Sequence, residues 1–508
     1  MKRNNSPESF GEEFAFLSVP TRQSSVAILL ILLRFFRGAF RNLWPLFLVF
    51  IFNPGEGKTP FWAQAFIALG AFAAVTSIIR YFKFYFYVEN DELVIEQGIL
   101  SKSKLNVPVD RIQTVNFQQG ILHQIFNVVS IEIDTAGSTG NEFSINALTK
   151  EKAEILRRYV ESQKREVKVQ NPDFEETTVA PEPVKEMLLR LSPNDLFKIG
   201  VSQNHLRTAG LIMAFFYGFI DDIEQALGFN FTKETEKWVE NEGSGWFLYL
   251  LAGIPIFILI SFLITLIRTA LRYYDFKFFR TENGFKSESG LLTKNEQSGN
   301  LQKIQLIRWT VSPIKKYFGM FAVSLRQAAS MVVTRRNSIF IPGCYEPHLN
   351  AIRRTYWPEE ELLDFEEHKI SKLICWRQVL YMGILPAVAL TIFNFFDNGF
   401  SALGWLSIIP IVYGLSLLYH KNWRYFISEE GIRTQSGIFT MRYNLLQWYK
   451  IQAVDIRQSI YQRRKDVAHL TLYTAAGSVR IPYIELDKAR AIHDFVLYKV
   501  EIDKRKWM

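Results

Sequence analysis

Gly98-Ile99-Leu100, Ile112-Gln113 and Thr135-Ala136-Gly137 are landmarks that the chain carries three times. The second set is Gly290-Leu291-Leu292, Ile304-Gln305 and Gln327-Ala328-Ala329, and the third is Gly437-Ile438-Phe439, Ile451-Gln452 and Thr474-Ala475-Ala476. In each set the Ile follows the first glycine by 14 residues and the last landmark residue follows it by 39. A basic residue (Arg111, Lys303 or Lys450) stands directly before each Ile-Gln pair. Gap-free blocks with identical internal spacing define a repeat, and the structure of one unit then sets the fold of the whole chain.

Within a unit the pattern is that of strands. Ile131 and Ile133 alternate with Ser130, Glu132 and Asp134, and Val323/Leu325 and Leu470/Leu472 occupy the same places. Phe143/Ile145, Ile339/Ile341 and Val479/Ile481 repeat the period of two, the mark of half-buried strands. Glu89-Asn90-Asp91-Glu92, Thr281-Glu282-Asn283-Gly284 and Ser428-Glu429-Glu430-Gly431 read as tight turns. Gly98, Gly290 and Gly437 are expected at positive φ between strands. A helix is predicted to close each unit over Thr149–Tyr159, Pro347–Thr355 and Leu486–Val500. A unit of about 80 residues buries little core alone and gains from packing on its neighbours or on a membrane.

Working outward, apolar runs separate the units. The strongest are Phe61–Ile79, Trp246–Ile267 and Ala402–Tyr419, each near the ~20 residues a membrane span needs. Weaker runs precede them at Phe36–Phe52, Leu206–Ile220 and Val379–Phe396, giving three helical hairpins. Their turns are Asn53–Gly57, the acidic stretch Asp221–Gly245 and Asp397–Phe400. Arg34, Arg37, Arg41, Lys198, Arg207, Lys372 and Arg377 gather at the opposite ends, with Arg80-Tyr81, Arg272-Tyr273 and Arg424-Tyr425. The positive-inside rule then puts the turns outside and every water-facing block in the cytoplasm. Asp221-Asp222 reads as a helix end rather than an ion site. Met1–Pro20 is polar and has no signal-peptide pattern, so the N-terminus is also expected inside.

Composition agrees with this layout. The 508 residues are 48% hydrophobic and 15% aromatic, with 43 Phe, yet 21% are charged, so apolar and water-facing blocks must alternate. The formal charge of +9 follows the topology signals and calls for no nucleic-acid partner. Cys344 and Cys375 are isolated and the seven His are scattered, which suggests neither a disulfide framework nor a metal site. No Gly-rich phosphate loop, G-x-S-x-G or H-E-x-x-H motif occurs, and no catalytic residue, cofactor or metal is assigned.

At these motifs the chain resembles the bacterial pleckstrin-homology-like membrane proteins of the YdbT type. The matching residues are Arg-Tyr at the span exits, the Gly290–Leu292 turn, Pro108–Gln113 and Thr135–Gly137. The resemblance covers about residues 30–500. Repeats two and three lack the proline, and Arg424 precedes Gly437 by 13 residues where Arg80 precedes Gly98 by 18. The resemblance implies an α+β membrane protein in which each of three transmembrane hairpins is followed by a cytoplasmic PH-like β-sandwich or barrel with a C-terminal helix. The expected segments are an N-terminal cytoplasmic segment 1–35, hairpin 36–79, domain 80–163, linker and helix start 164–195, hairpin 196–270, domain 271–357, helical connector 358–376, hairpin 377–420 and domain 421–508. Within the linkers Ser192 is the predicted N-cap of a helix with Pro193 at its first position, and Pro358 opens another.

Two groups of basic residues are candidate lipid or partner contacts. Arg111, Lys303 and Lys450 recur beside Ile-Gln, where a structural role bonding a turn carbonyl competes with ligand or interdomain contact. Lys315-Lys316 and Arg463-Arg464-Lys465 are clustered cations, which attract anionic lipid at about 1 kcal/mol each near a membrane, against the alternative of a solvated loop. The resemblance implies an adaptor rather than an enzyme, in the bacterial plasma (inner) membrane. Its expected partners are membrane lipid and either further copies of itself or a smaller membrane protein with one PH-like domain. The alternative is a lipid- or amphiphile-binding protein or transporter accessory with an envelope-stress or peptide-resistance role.

Overall fold

The computed structural model describes residues 12–38, 61–98, 102–109, 112–135, 143–169, 186–205, 208–210, 213, 245–328, 338–503 and 505. Six strands form each repeat. Repeat one contains β1 (Tyr85–Glu89), β2 (Glu92–Gln97), β3 (Ser103–Pro108), β4 (Ile112–Gln119), β5 (Val128–Thr135) and β6 (Phe143–Thr149). A separate strand, β7 (Glu186–Arg190), precedes repeat two, which contains β8 (Lys277–Thr281), β9 (Gly284–Ser289), β10 (Lys294–Asn300), β11 (Ile304–Val311), β12 (Met320–Gln327) and β13 (Ser338–Tyr345). Strand β14 (Glu366–Lys369) precedes repeat three, made of β15 (Arg424–Ile427), β16 (Gly431–Ser436), β17 (Met441–Gln447), β18 (Ile451–Arg457), β19 (Val467–Thr474) and β20 (Gly477–Glu485).

The turns obey local chemistry. Asn90 and Asp91 join β1 to β2 with φ of 51° and 58°, the left-handed pair a two-residue hairpin needs. Gly98, Gly290 and Gly437 have φ of 131°, 108° and 140°. A Cβ at Gly290 would lie 2.0 Å from the Thr293 carbonyl oxygen, and one at Gly437 2.1 Å from that of Thr440, so both turns require glycine.

The sheets do not respect the repeat boundaries. β1–β3 form a three-stranded sheet, and β18–β20 form another. Between them lie two seven-stranded antiparallel sheets, ordered β6-β5-β4-β10-β9-β8-β7 and β13-β12-β11-β17-β16-β15-β14. Each repeat therefore splits into two three-stranded halves, and the second halves of repeats one and two continue into the first half of the repeat that follows. Each repeat still closes around a core of its own, as one sandwich per repeat would, but its sheets run on into the neighbouring repeat: a strand edge exposes unpaired N–H and C=O groups, and these repeats satisfy them by pairing with one another.

Several boundaries also differ from the expected segments. The helix after β6 spans Lys150–Val169, beyond the predicted end at Tyr159, and β7 lies inside the segment expected to be linker. The connector 358–376 holds a 3-10 turn, Pro358–Leu362, and strand β14 before its helix starts at Leu373. Residues Glu12–Leu17 form a 3-10 turn whose Leu17 is buried in the repeat-one core, and Thr21 pairs with Phe86 on β1. A helix is already formed at residues 26–38, where Ala27 and Leu30 pack on Val128 and Ala147. Brevity concealed β7 and β14, since four or five residues suffice to extend an existing sheet edge. The helix start at Pro193 is as expected, with Ser192 and Asp195 forming a reciprocal capping box.

Three helices among the described residues are long and apolar enough to cross a membrane: Pro255–Tyr273, Leu373–Phe396 and Gly399–Asn422. Ala68–Phe82 is a shorter apolar helix. The last two long helices lie side by side, with Ser416 Oγ donating to Gln378 Oε1 at 2.7 Å and Gly383 against Val412. The runs Phe36–Phe52 and Leu206–Ile220, the turn Asn53–Gly57 and Asp221-Asp222 with the acidic stretch fall wholly or largely outside the described residues.

Candidate functional site

Two seams join the repeats, and the first of them is polar. At the first, Lys294 of β10 pairs with Gln119 of β4 and Asn295 pairs with Gln118. Asn116 Oδ1 accepts the Ser298 N–H at 3.1 Å. Glu296 on β10 meets Arg157, on the repeat-one helix, at 2.6 Å and Lys286 at 2.8 Å. Burial by itself would raise the Glu296 carboxyl, but the two cations hold it below the usual carboxylate range.

The second seam is more apolar. Six β11–β17 pairs run from Leu306↔Leu446 to Val311↔Met441. Trp309 stacks on Tyr443 with ring centroids 5.2 Å apart, and Arg308 Nε donates to Asn444 Oδ1 at 2.6 Å. The cores interpenetrate here. Leu445 belongs to the repeat-two core and Leu306 to the repeat-three core. Each repeat thus supplies a buried leucine to its neighbour, and separating them would expose both.

The predicted basic positions divide by burial. Lys450 is buried, donates from Nζ to the Ile304 carbonyl of repeat two, and sits 4.5 Å from the Tyr356 ring centroid. Burial, then Arg505, pushes its pKa down to about 7. Lys303 is also buried. Lys315 is buried and donates to the Pro342 carbonyl at 2.7 Å, with burial pushing its pKa down to about 8. These ammonium groups are engaged inside the protein, so Lys315 does not extend the exposed cluster that the sequence suggested. The (CH₂)₄ stem let it reach a core carbonyl that sequence does not reveal. Lys316, Arg463, Arg464 and Lys465 are exposed. Arg111 lies outside the described residues.

Two further features escaped the sequence reading. Cross-strand register brings Arg308 diagonal to Arg326 on β12 and to Arg442 on β17. Among the described residues none of these three forms an ion pair, and burial followed by the other two cations lowers the Arg308 pKa to about 10. Their proximity depends on pairing between repeats and has no linear signal. The second feature is a set of apolar tips. Leu291 N–H donates to Leu271 O at 3.0 Å, so the Gly290 turn hangs on the end of an apolar helix with Leu291 and Leu292 exposed. Gln124 Nε2 reaches their carbonyls at 3.2 and 3.1 Å, which brings exposed Ile121 and Ile125 to the same region. In repeat two Tyr317 is 85% exposed beside Lys316. Among the described residues no His/Cys/Asp/Glu group could hold a metal.

Three copies of a split antiparallel unit closed by a helix, strung on apolar helices, define a multi-pass membrane protein with repeated PH-like domains. The chain belongs to the bacterial PH domain family, whose pattern matches residues 26–164, 245–359 and 380–500. It is 24% identical over 478 residues to the UPF0699 transmembrane protein YdbT of Bacillus subtilis (strain 168), covering 91% of this chain and 93% of that protein. It is 30% identical over 131 residues to the UPF0699 transmembrane protein YdbS of the same organism, covering 25% of this chain and 82% of that protein. No solved structure matches significantly.

Proposed function

We propose that this protein is a non-enzymatic membrane scaffold. Three transmembrane hairpins tether three PH-like domains to the cytoplasmic face of the bacterial plasma membrane, where the domains assemble with each other and with a partner membrane protein. The observation that carries this function is the pair of seven-stranded sheets crossing the repeat boundaries. Domains that share sheets and exchange buried leucines form a fixed platform rather than independently tethered modules. A smaller protein with one PH-like domain suits the role of partner, since YdbS matches about a quarter of this chain over most of its own length. Native mass spectrometry of the complex released from nanodiscs made of its own membrane tests the proposal. A stoichiometric second protein or a defined homo-oligomer supports it, and a lone monomer refutes it.

A lipid-binding role is the second possibility, favoured by the Arg308, Arg326 and Arg442 cluster and by exposed Lys316, Arg463, Arg464 and Lys465 near apolar tips. Discrete lipid-sized masses on the released monomer, lost in Arg308→Gln/Arg326→Gln or in Lys316→Glu/Arg463→Glu, would favour it. Unchanged retention of anionic lipid in both variants would count against it.

A further inference from the structure

The two seams obey one rule. Gln119 follows Gly98 by 21 residues as Val311 follows Gly290, and Lys294 follows Gly290 by 4 as Met441 follows Gly437. Gln119↔Lys294 and Val311↔Met441 are therefore equivalent pairs in the same register. At both seams the fourth strand of one repeat pairs antiparallel with the third strand of the next. Applied along the chain, this rule leaves two edges: β3, the third strand of repeat one, and β18, the fourth strand of repeat three. Among the described residues neither has an outer neighbour in its sheet.

Burial distinguishes the closed seams from these edges. Gln305 and Leu306 on β11 are fully buried, whereas their counterparts Gln452 and Ala453 on β18 are exposed. Leu445 on β17 is fully buried, whereas its counterpart Asn106 on β3 is exposed. The β3 edge carries Lys104 and ends at Pro108. Pro108 lies one residue beyond the stretch that the β17 register would use (positions 102–107), so it removes no N–H that this pairing needs.

We propose that β18 of one chain pairs with β3 of a second copy, repeating the seam between molecules. This assembly rests on the scaffold function above and names its contact. A second copy is the occupant because one chain carries both complementary edges, and the contact continues a pairing already made twice within it. Transferring the second seam predicts Ala453↔Val107, Val454↔Asn106, Asp455↔Leu105, Ile456↔Lys104 and Arg457↔Ser103. None of these sets like charges directly opposite each other. The two surfaces differ, so the contact is head-to-tail and yields a closed ring or an open chain of copies.

Cross-linking of the full-length protein in nanodiscs tests this. Native Cys344 and Cys375 are both buried, which leaves introduced thiols as the reactive ones. Val454→Cys and Asn106→Cys copies, co-reconstituted with a short bismaleimide, are expected to give a product of twice the chain mass that neither variant gives alone. Val454→Cys with the off-register Lys102→Cys should give at least tenfold less. Val454→Lys should abolish the oligomer in native mass spectrometry, and the double variant Val454→Lys/Asn106→Glu should restore it, which excludes simple misfolding. Absence of the mixed product, or equal yield off register, overturns the proposal. In native membranes, capture of a smaller protein by the Val454→Cys variant in place of a second copy overturns it while leaving the scaffold function standing. An uncomplexed monomer overturns both.

Discussion

Leu306→Ala tests the interpenetration of the repeats. Leu306 belongs by sequence to repeat two but is fully buried in the repeat-three core, beside Ile432, Leu446 and Leu470. Truncating a buried leucine costs ~2–5 kcal/mol through lost transfer energy and the residual cavity. At about 3 kcal/mol, local opening becomes roughly a hundredfold more frequent. The location of the damage is diagnostic. Hydrogen exchange by mass spectrometry in nanodiscs should accelerate in β16, β17 and β19, far along the chain from the substitution and in a different repeat. Leu325→Ala, in the repeat-two core, supplies the comparison and should accelerate β12 and β13. If Leu306→Ala accelerates β12 and β13 while β16 and β19 keep wild-type protection, the cores are separate and the reasoning fails.

The first seam should respond to acid. The folded carboxyl of Glu296 lies below its unfolded value near 4.5, so its stabilising contribution is present above that pH and lost as pH falls through the folded value. Thermal scans between pH 6 and about 3 should show a smaller acid loss for Glu296→Gln, and an unchanged loss would remove the ion cluster from the seam's energetics. Lys450 has the opposite sense: its folded pKa of about 7 lies below the ordinary 10.5, the unfolded chain binds more protons between them, and stability should rise with pH across that window. Lys450→Met should flatten that rise, and a persisting slope would assign it to another group. Gly290→Ala should destabilise by roughly 1–3 kcal/mol through left-handed backbone and collision with Thr293 O, whereas Gly404→Ala, with nothing within 4 Å, should not. Equal melting temperatures for the two variants would contradict the turn geometry.

The sequence by itself determined the repeat, its strand periodicity, the glycine turns at Gly98, Gly290 and Gly437, the cap at Ser192 and the apolar segments. These follow from backbone conformational limits and from hydrophobic patterning, both of which act over a few residues. Only the tertiary structure decided where strands end up. Leu306 is apolar and buried on β11, but its side chain alone gives the same signal whether its cover comes from repeat two or repeat three. Likewise Lys315 and Lys316 are adjacent and chemically identical in sequence, yet one is buried on the Pro342 carbonyl and the other is exposed. The recruitment of β7 and β14, the Arg308–Arg326–Arg442 cluster and the division of each repeat between two sheets share that origin. Strand pairing joins N–H and C=O groups that every residue but proline carries, so side-chain pattern specifies that an edge must be covered while geometry alone selects the strand that covers it.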